Sequence, residues 1–333
     1  MKNHILLIIF VFFAFIVKVD AQNIYPVGEY MQLGKVEFSN LEVKNSILYF
    51  PLGKLGLQIL DVTNPQNVTQ KSIYNEFEWR EKKKVFGSAY CVNISGDSLF
   101  LAYGELGLKI LNISDPSMPF VLGTYYRYQD VYACELYKNF AFLGLKNMGF
   151  EIVDFSNIDN IDMVSRNNVK DFKVENLQVR PPFVLMTGGY RGILIYQFTD
   201  PFTKFKVKGF PKNYNPNNEA NKLIVKDNIG YLANDFEGLT ILNLGLTLYP
   251  VKMSNIKTNG KAKDICLNKN YAYVSGGNAI EVFDISDNEN PVMVFEHKEK
   301  KKKFENIVIE GNYLYASFKQ SFRKYGIMIF KIE

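Results

Sequence analysis

GLKILNISDPSMP, from Gly107 to Pro119, is the stretch from which the fold follows, because relatives of it recur along the chain. They read GLQILDVTNP from Gly56, GFEIVDFSNI from Gly149, GILIYQFTDP from Gly192, GLTILNLGLT from Gly238, AIEVFDISDN from Ala279 and GIMIFKIE from Gly326. The seven starts are separated by 51, 42, 43, 46, 41 and 47 residues, a period at which one supersecondary unit repeats. Six of the seven copies open with glycine, which suits a tight bend where a positive φ carries no Cβ penalty. Apolar residues then fall on both faces, as in Leu108, Ile110, Leu111 and Ile113, the pattern of a strand packed between layers. Asp or Asn follows, then Ser or Thr and often Pro. Short polar side chains there bond nearby amides and begin a turn, and proline stops the strand.

A second motif precedes each copy by about fifteen residues, as in VNISGDSLFLAYG from Val92, LIVKDNIGYLAND from Leu223 and IVIEGNYLYASFK from Ile307. Gly-Asp, Asp-Asn or Gly-Asn between alternating apolar residues predicts a two-residue hairpin. Each repeat therefore supplies a hairpin, the main strand and a fourth strand such as PFVLGTYY, Pro119 to Tyr126. Four strands in about 43 residues make a propeller blade, and seven of them predict an all-β, seven-bladed propeller of four-stranded antiparallel blades.

GLKILNISDPSMPFVLGTYY and its relatives, from about Tyr25 to the end, resemble the LVIVD repeat, a family of extracytoplasmic propeller proteins. The family has no single assigned activity, so the resemblance implies cell-surface or secreted binding and scaffolding rather than a reaction.

Residues 1–21 read as a secretory signal: Lys2, then thirteen apolar residues from Ile5 to Val17, then Val19-Asp20-Ala21 at a small-residue cleavage site. Thirteen is too short to span a bilayer, which needs about 20, and no later apolar run spans one. The mature chain, 22–333, is expected to be a single extracytoplasmic propeller domain with no stable membrane span. YPVGEYMQLGKV, Tyr25 to Val36, resembles a fourth strand, whereas the C-terminus stops after a main strand. Residues 22–36 are thus expected to complete the last blade with 304–333 and close the ring, leaving no open edge. Abundant Tyr and Phe, 21 and 27 of 333 residues, favour strands. Without the leader the net charge is +4, mild for a polyanion binder, and no nucleic-acid partner is expected.

One histidine, His297, remains after the leader, which excludes a histidine-based triad or a multi-histidine metal site. It is expected to be an exposed strand residue. Cys91, Cys134 and Cys266 are odd in number and dispersed over three blades, so they read as buried free thiols. Gly188-Gly189-Tyr190-Arg191-Gly192 sits where a bend is already required and is no phosphate loop.

First strands lie nearest the axis of a propeller. Their opening residues are Ser39-Asn40, Tyr90-Cys91, Tyr132-Ala133, Glu175-Asn176, Asn221-Lys222, Lys263-Asp264 and Glu305-Asn306, and these should ring one mouth of the channel. Asn40, Glu175, Asn176, Asn221, Asp264, Glu305 and Asn306 supply the oxygens that Ca²⁺ takes; the alternative is a solvated channel. Lys222 and Lys263 count against a cation.

Two basic runs, Lys82-Lys83-Lys84 beside Arg80, and Lys298 with Lys300, Lys301, Lys302 and Lys303, fall in connections from a fourth strand to the next first strand. They face one side, about two blades apart, as a patch for an anionic glycan or an acidic protein, or simply as solvated loops. Tyr125, Tyr126, Tyr128 and Tyr132 suit sugar or peptide stacking as well as strand packing. Asn67, in a turn, is the best glycosylation acceptor if the chain is eukaryotic; Asn93 and Asn112 also stand in sequons.

Two functions remain open. The first is a secreted or cell-surface binding or scaffolding module for a protein or glycan, with no cofactor. The second is a calcium-assisted hydrolase whose channel-mouth groups hold a cation that activates water.

Overall fold

Each repeat folds into four antiparallel strands laid side by side in chain order. The computed structural model describes residues 22–34, 36, 40–126, 130–146, 148–169, 172–188, 192–198, 205–208 (backbone only), 219–245 and 250–333. The expected leader 1–21, Ser39, Tyr128 and Gly189 to Arg191 lie outside them. Blades 1 to 6 span 42–74, 91–125, 131–167, 176–208, 222–256 and 264–298. Blade 7 takes three strands from the C-terminus and its fourth, Ile24–Leu33, from the N-terminus. That strand runs antiparallel to Lys324–Ile332, with Ile24 opposite Ile332. Asn23 and Glu333 exchange two backbone hydrogen bonds of 3.0 Å beyond it, so the ring closes as the sequence predicts. First strands of neighbouring blades touch all the way round, blade 7 against blade 1 included.

The turn chemistry is that of the repeat. At Asp227-Asn228 both residues are left-handed, with φ of 48° and 64°, as a two-residue hairpin of this hand requires. Gly107 has φ +76°, and a Cβ there would lie 2.1 Å from the carbonyl oxygen of Tyr125; glycine is needed for both reasons. After the main strand, Asp61, Asn112, Asp154, Asn243 and Asp284 each accept a bond from the amide two residues on, the turn expected of them.

No single centre holds the core. Seven apolar layers form instead, each between two adjacent blades. Leu108 and Ile110 face blade 3, while Leu111 packs with blade 1, so the main strand is sandwiched as its two-faced pattern implies. One position departs from that pattern. The residue after the first apolar one is buried and polar in five blades: Gln58, Lys109, Glu151, Thr240 and Glu281. Each is met by polar partners, as burial of such groups requires; Glu281, for example, accepts from the amide and side chain of Asn259 at 2.9 Å.

One element lies outside the blades. Phe77–Arg80 and Lys83–Phe86 form a separate two-stranded hairpin between blades 1 and 2, and this insertion is why the first repeat spacing, 51, is the longest. The basic run Lys82 to Lys84 is therefore not a plain loop: Lys82 turns the hairpin at φ +67° and Lys83 and Lys84 lie in its second strand. Likewise Lys298 ends the last strand of blade 6 and Lys303 begins blade 7. His297 is half-buried rather than exposed, its ring edge-on to Phe330 at 4.9 Å and its Nε2 3.3 Å from Glu299, because it stands opposite Ile280 on the face that packs into the blade 6–7 layer.

Candidate functional site: the channel, its mouth and the inserted hairpin

The first strands enclose a cavity of about 240 Å³ on the axis. Asn40, Glu175, Asn176, Asn221 and Asn306 line it as the sequence predicts, but most of the ring's polar atoms are turned to fastening blades. Asn40 donates to the carbonyl of Val92 at 2.8 Å and accepts from its amide at 3.0 Å. Asn176 accepts from the amide of Leu223 at 3.4 Å, and Asn221 donates to the carbonyl of Ala262 at 2.8 Å. Asp264, itself 1% exposed, accepts from the amide of Ile307 at 3.0 Å and from Asn306 at 3.3 Å. These bonds tie blade 1 to 2, 4 to 5, 5 to 6 and 6 to 7. Glu175 and Glu305 pair with Lys173 at 2.7 Å and Lys319 at 3.5 Å. Among the described residues no three Asp, Glu, His or Cys side chains are grouped to hold a metal ion.

Below the mouth lies a tier that the sequence reading missed. Glu42, Asn93, Glu135, Gln178 and Cys266 stand two residues beyond Asn40, Cys91, Ala133, Asn176 and Asp264, and the two-residue period of a strand was the signal for them. Lys222 ion-pairs with Asp264 at 3.4 Å. Burial works to lower the Lys222 pKa, but Asp264, Glu42 and Cys91 outweigh it and hold the ammonium above its ordinary value. Burial pushes the carboxyl of Glu42 up to about 7, opposed by Lys222 and reinforced by Asp264. Glu135 is pushed up to about 7 by burial too, against Arg180 and Lys222. The three thiols are free, Cys91 and Cys134 buried and Cys266 half-buried; burial raises the Cys91 thiol to about 12, which leaves it inert as a nucleophile.

At the mouth Tyr90 and Tyr132 stack with centroids 4.1 Å apart, and the ammonium groups of Lys146 and Lys173 stand 5.5 and 5.6 Å from the Tyr132 ring. The tyrosine cluster is thus split, since Tyr125 and Tyr126 lie at the outer rim of blade 2. Lys300, Lys301, Lys298 and Lys303 are exposed, whereas Lys302 is held by Glu29 at 2.8 Å and stands 5.0 Å from the Phe318 ring. Asn67 is exposed in its turn.

The inserted hairpin has two unlike faces. Outward stand Phe77, Phe86 and Trp79, the chain's one tryptophan, 42, 52 and 64% exposed. Lys84 lies across them, 4.4 Å from the Phe77 ring and 5.3 Å from that of Trp79. Inward, Glu78 reaches buried Lys109 at 3.2 Å, and Glu76 reaches the same ammonium at 3.2 Å. Between this inner face and the outer strands of blades 2 and 3 an open cleft of about 740 Å³ remains.

Among the described residues no helix is long and apolar enough to cross a membrane. No curated protein matches the chain in sequence. Among solved structures, the crystal structure of the computationally designed Ika8 protein is similar, with a TM-score of 0.63 and 8% identity over 92% of this chain and 99% of that one. At that identity the likeness concerns the fold alone. The family model of the LVIVD repeat matches residues 86–126, 130–168 and 259–298. These are the units of blades 2, 3 and 6, so this seven-bladed propeller carries LVIVD repeats.

Proposed function

We propose that the chain is exported and acts outside the cytoplasm as a binding module, presenting the channel-mouth face and the inserted hairpin to a partner rich in anionic groups. One observation carries this reading: the element that breaks the repeat places three exposed aromatic rings on one face with Lys84, beside Lys82 at the turn, while Lys83 stands in register with Arg80 on the other face. Surface patches of this kind mark interaction sites, and aromatic and cationic side chains together favour anionic partners through stacking and screened Coulomb attraction. Lys298, Lys300, Lys301 and Lys303 extend the same face two blades away. The hydrolase reading has less support, because Asn40, Asn176, Asn221 and Asp264 fasten blades to one another.

Heparin affinity chromatography of the mature chain tests the proposal. Retention is expected, with elution at lower salt for the triple variant Lys82→Ser, Lys83→Ser, Lys84→Ser and for Lys300→Ser with Lys301→Ser. Passage of the unaltered chain through the column at low salt, or unchanged elution of both variants, would refute an anionic-glycan partner at this face.

A further inference from the structure

We infer that the cleft beneath the hairpin binds an uncharged saccharide. Its volume, about 740 Å³, falls in the range of small-molecule sites, and its walls come from three different elements. Glu78 and Arg80 descend from the inner face of the hairpin, Thr124 stands on the last strand of blade 2 with Tyr126 just past its end, and Asp162 and Met163 open the last strand of blade 3. The Tyr126 ring is 47% exposed and offers an apolar plate to the C–H face of a pyranose. Around it are the groups that read vicinal hydroxyls. Glu78 is held by Lys109 at 3.2 Å and by Arg80 at 3.4 Å, and Arg80 lies 5.4 Å from the Tyr126 centroid; the exposed Asp162 carboxylate accepts hydroxyls, the remaining Arg80 N–H groups donate, and the Thr124 hydroxyl does either.

Charge indicates the class of ligand. Glu76, Glu78 and Asp162 are matched by Arg80, by Lys83 in register with it on the same face of the hairpin, and by Lys109, which lies 2% exposed under the cleft, 3.2 Å from both glutamates and 5.2 Å from the Tyr126 centroid. A cleft balanced in this way has no net field to draw an ion, unlike the opposite face of the hairpin, where Lys84 lies across the aromatic rings with no carboxylate in register. The walls are also fixed before any ligand arrives. Lys109 pins Glu76 and Glu78, and the Tyr125 hydroxyl donates to fully buried Glu151 at 3.0 Å, which Arg166 Nε meets at 2.5 Å. Such preorganisation lowers the ordering cost of binding.

Saturation-transfer difference NMR on the mature chain, with methyl β-glucoside, methyl β-galactoside and N-acetylglucosamine as probes, tests this. Transfer is expected to at least one sugar, strongest at the ring protons of one face. Tyr126→Ala should weaken binding about fivefold or more through lost stacking. Asp162→Asn, on an exposed side chain, should weaken it with no change in melting temperature. The double variant Lys82→Ser, Lys84→Ser, which leaves Lys83 on the cleft side, should bind the sugar unchanged, so failure here and failure of the anionic-partner proposal are separable. No transfer from any of the three probes, or undiminished transfer in folded Tyr126→Ala, would overturn the inference.

Discussion

Replacing Glu42 by Gln should stabilise the protein by an amount that grows as pH rises from about 4.5 and is complete above about 7. The carboxyl sits in the axial channel with Asp264 nearby, and Lys222 is shared among Asp264, Glu42 and Glu135. Its pKa stands at about 7 in the folded chain against 4.5 for the free group. Between those values the folded state keeps a proton that the unfolded state has released, so stability falls as pH rises, and above the folded pKa the full penalty is present. The difference of about 2.5 units corresponds to roughly 3 kcal/mol at about 1.4 kcal/mol per unit. That is a ceiling, because Glu135, raised partly by Glu42 itself, titrates with it. A gain of about 1–2 kcal/mol at pH near 8 is therefore expected for Glu42→Gln, and much less at pH near 5, where both forms are neutral in the fold. Thermal melts of the two proteins across that range supply the assay, with Glu135→Gln as the parallel case; its amide oxygen still accepts from Asn93, now at 3.3 Å from the carboxylate. A stabilisation equal at both pH values, or a loss at the higher one, would show that the channel carboxylates are compensated by groups other than Lys222.

Two further outcomes test the architecture. Leu108, fully buried in the layer between blades 2 and 3, should cost roughly 2–5 kcal/mol when cut to alanine; a loss below about 0.5 kcal/mol by denaturant titration, the range of surface substitutions, would contradict the sandwich. Deleting residues 22–36 removes the fourth strand of blade 7 and bares the edge of Lys324–Ile332, so the truncated chain should melt without a sharp transition and associate in size-exclusion chromatography. A monomer with an unchanged melt would mean that the ring does not depend on that closure.

The blades were legible because their signals are local and repeated. A glycine such as Gly107, an Asx turn such as that of Asn112 and a two-residue hairpin such as Asp227-Asn228 are each set by a few neighbouring residues, and seven copies make the reading redundant. The closing strand was legible for a related reason: Tyr25 to Val36 resembles a fourth strand that lacks its other three. What escaped depends on neighbours far along the chain. Lys109 reads as a lapse in an apolar pattern until Glu76 and Glu78 are brought over it, and Glu42 reads as a surface residue until six other first strands enclose it. Asn40, Asn176 and Asn221 stand on the channel where the spacing puts them, and Asp264 is buried beside it, yet sequence spacing gives position and not bonding. Oxygens converging on an ion and oxygens clasping the next strand demand the same residue types.

Repetition itself separates the two uses. A polar group that recurs at one place in blade after blade meets the same backbone of the next blade each time, and closing the ring requires such contacts at every seam. Inter-blade fastening is therefore the expected role of the recurring polar residues, and the geometry agrees: Asn40, Asn176 and Asp264 accept from the equivalent amides of Val92, Leu223 and Ile307 in the next blade. Specific recognition needs the opposite, a feature present once. The spacing of 51 residues between the first two repeats marks where such a feature enters, and the hairpin found there carries the chain's one tryptophan and roofs a cleft of about 740 Å³. In a propeller of near-identical blades, the irregular interval in the repeat is the place to look for function, ahead of the conspicuous ring of carboxylates and amides around the axis.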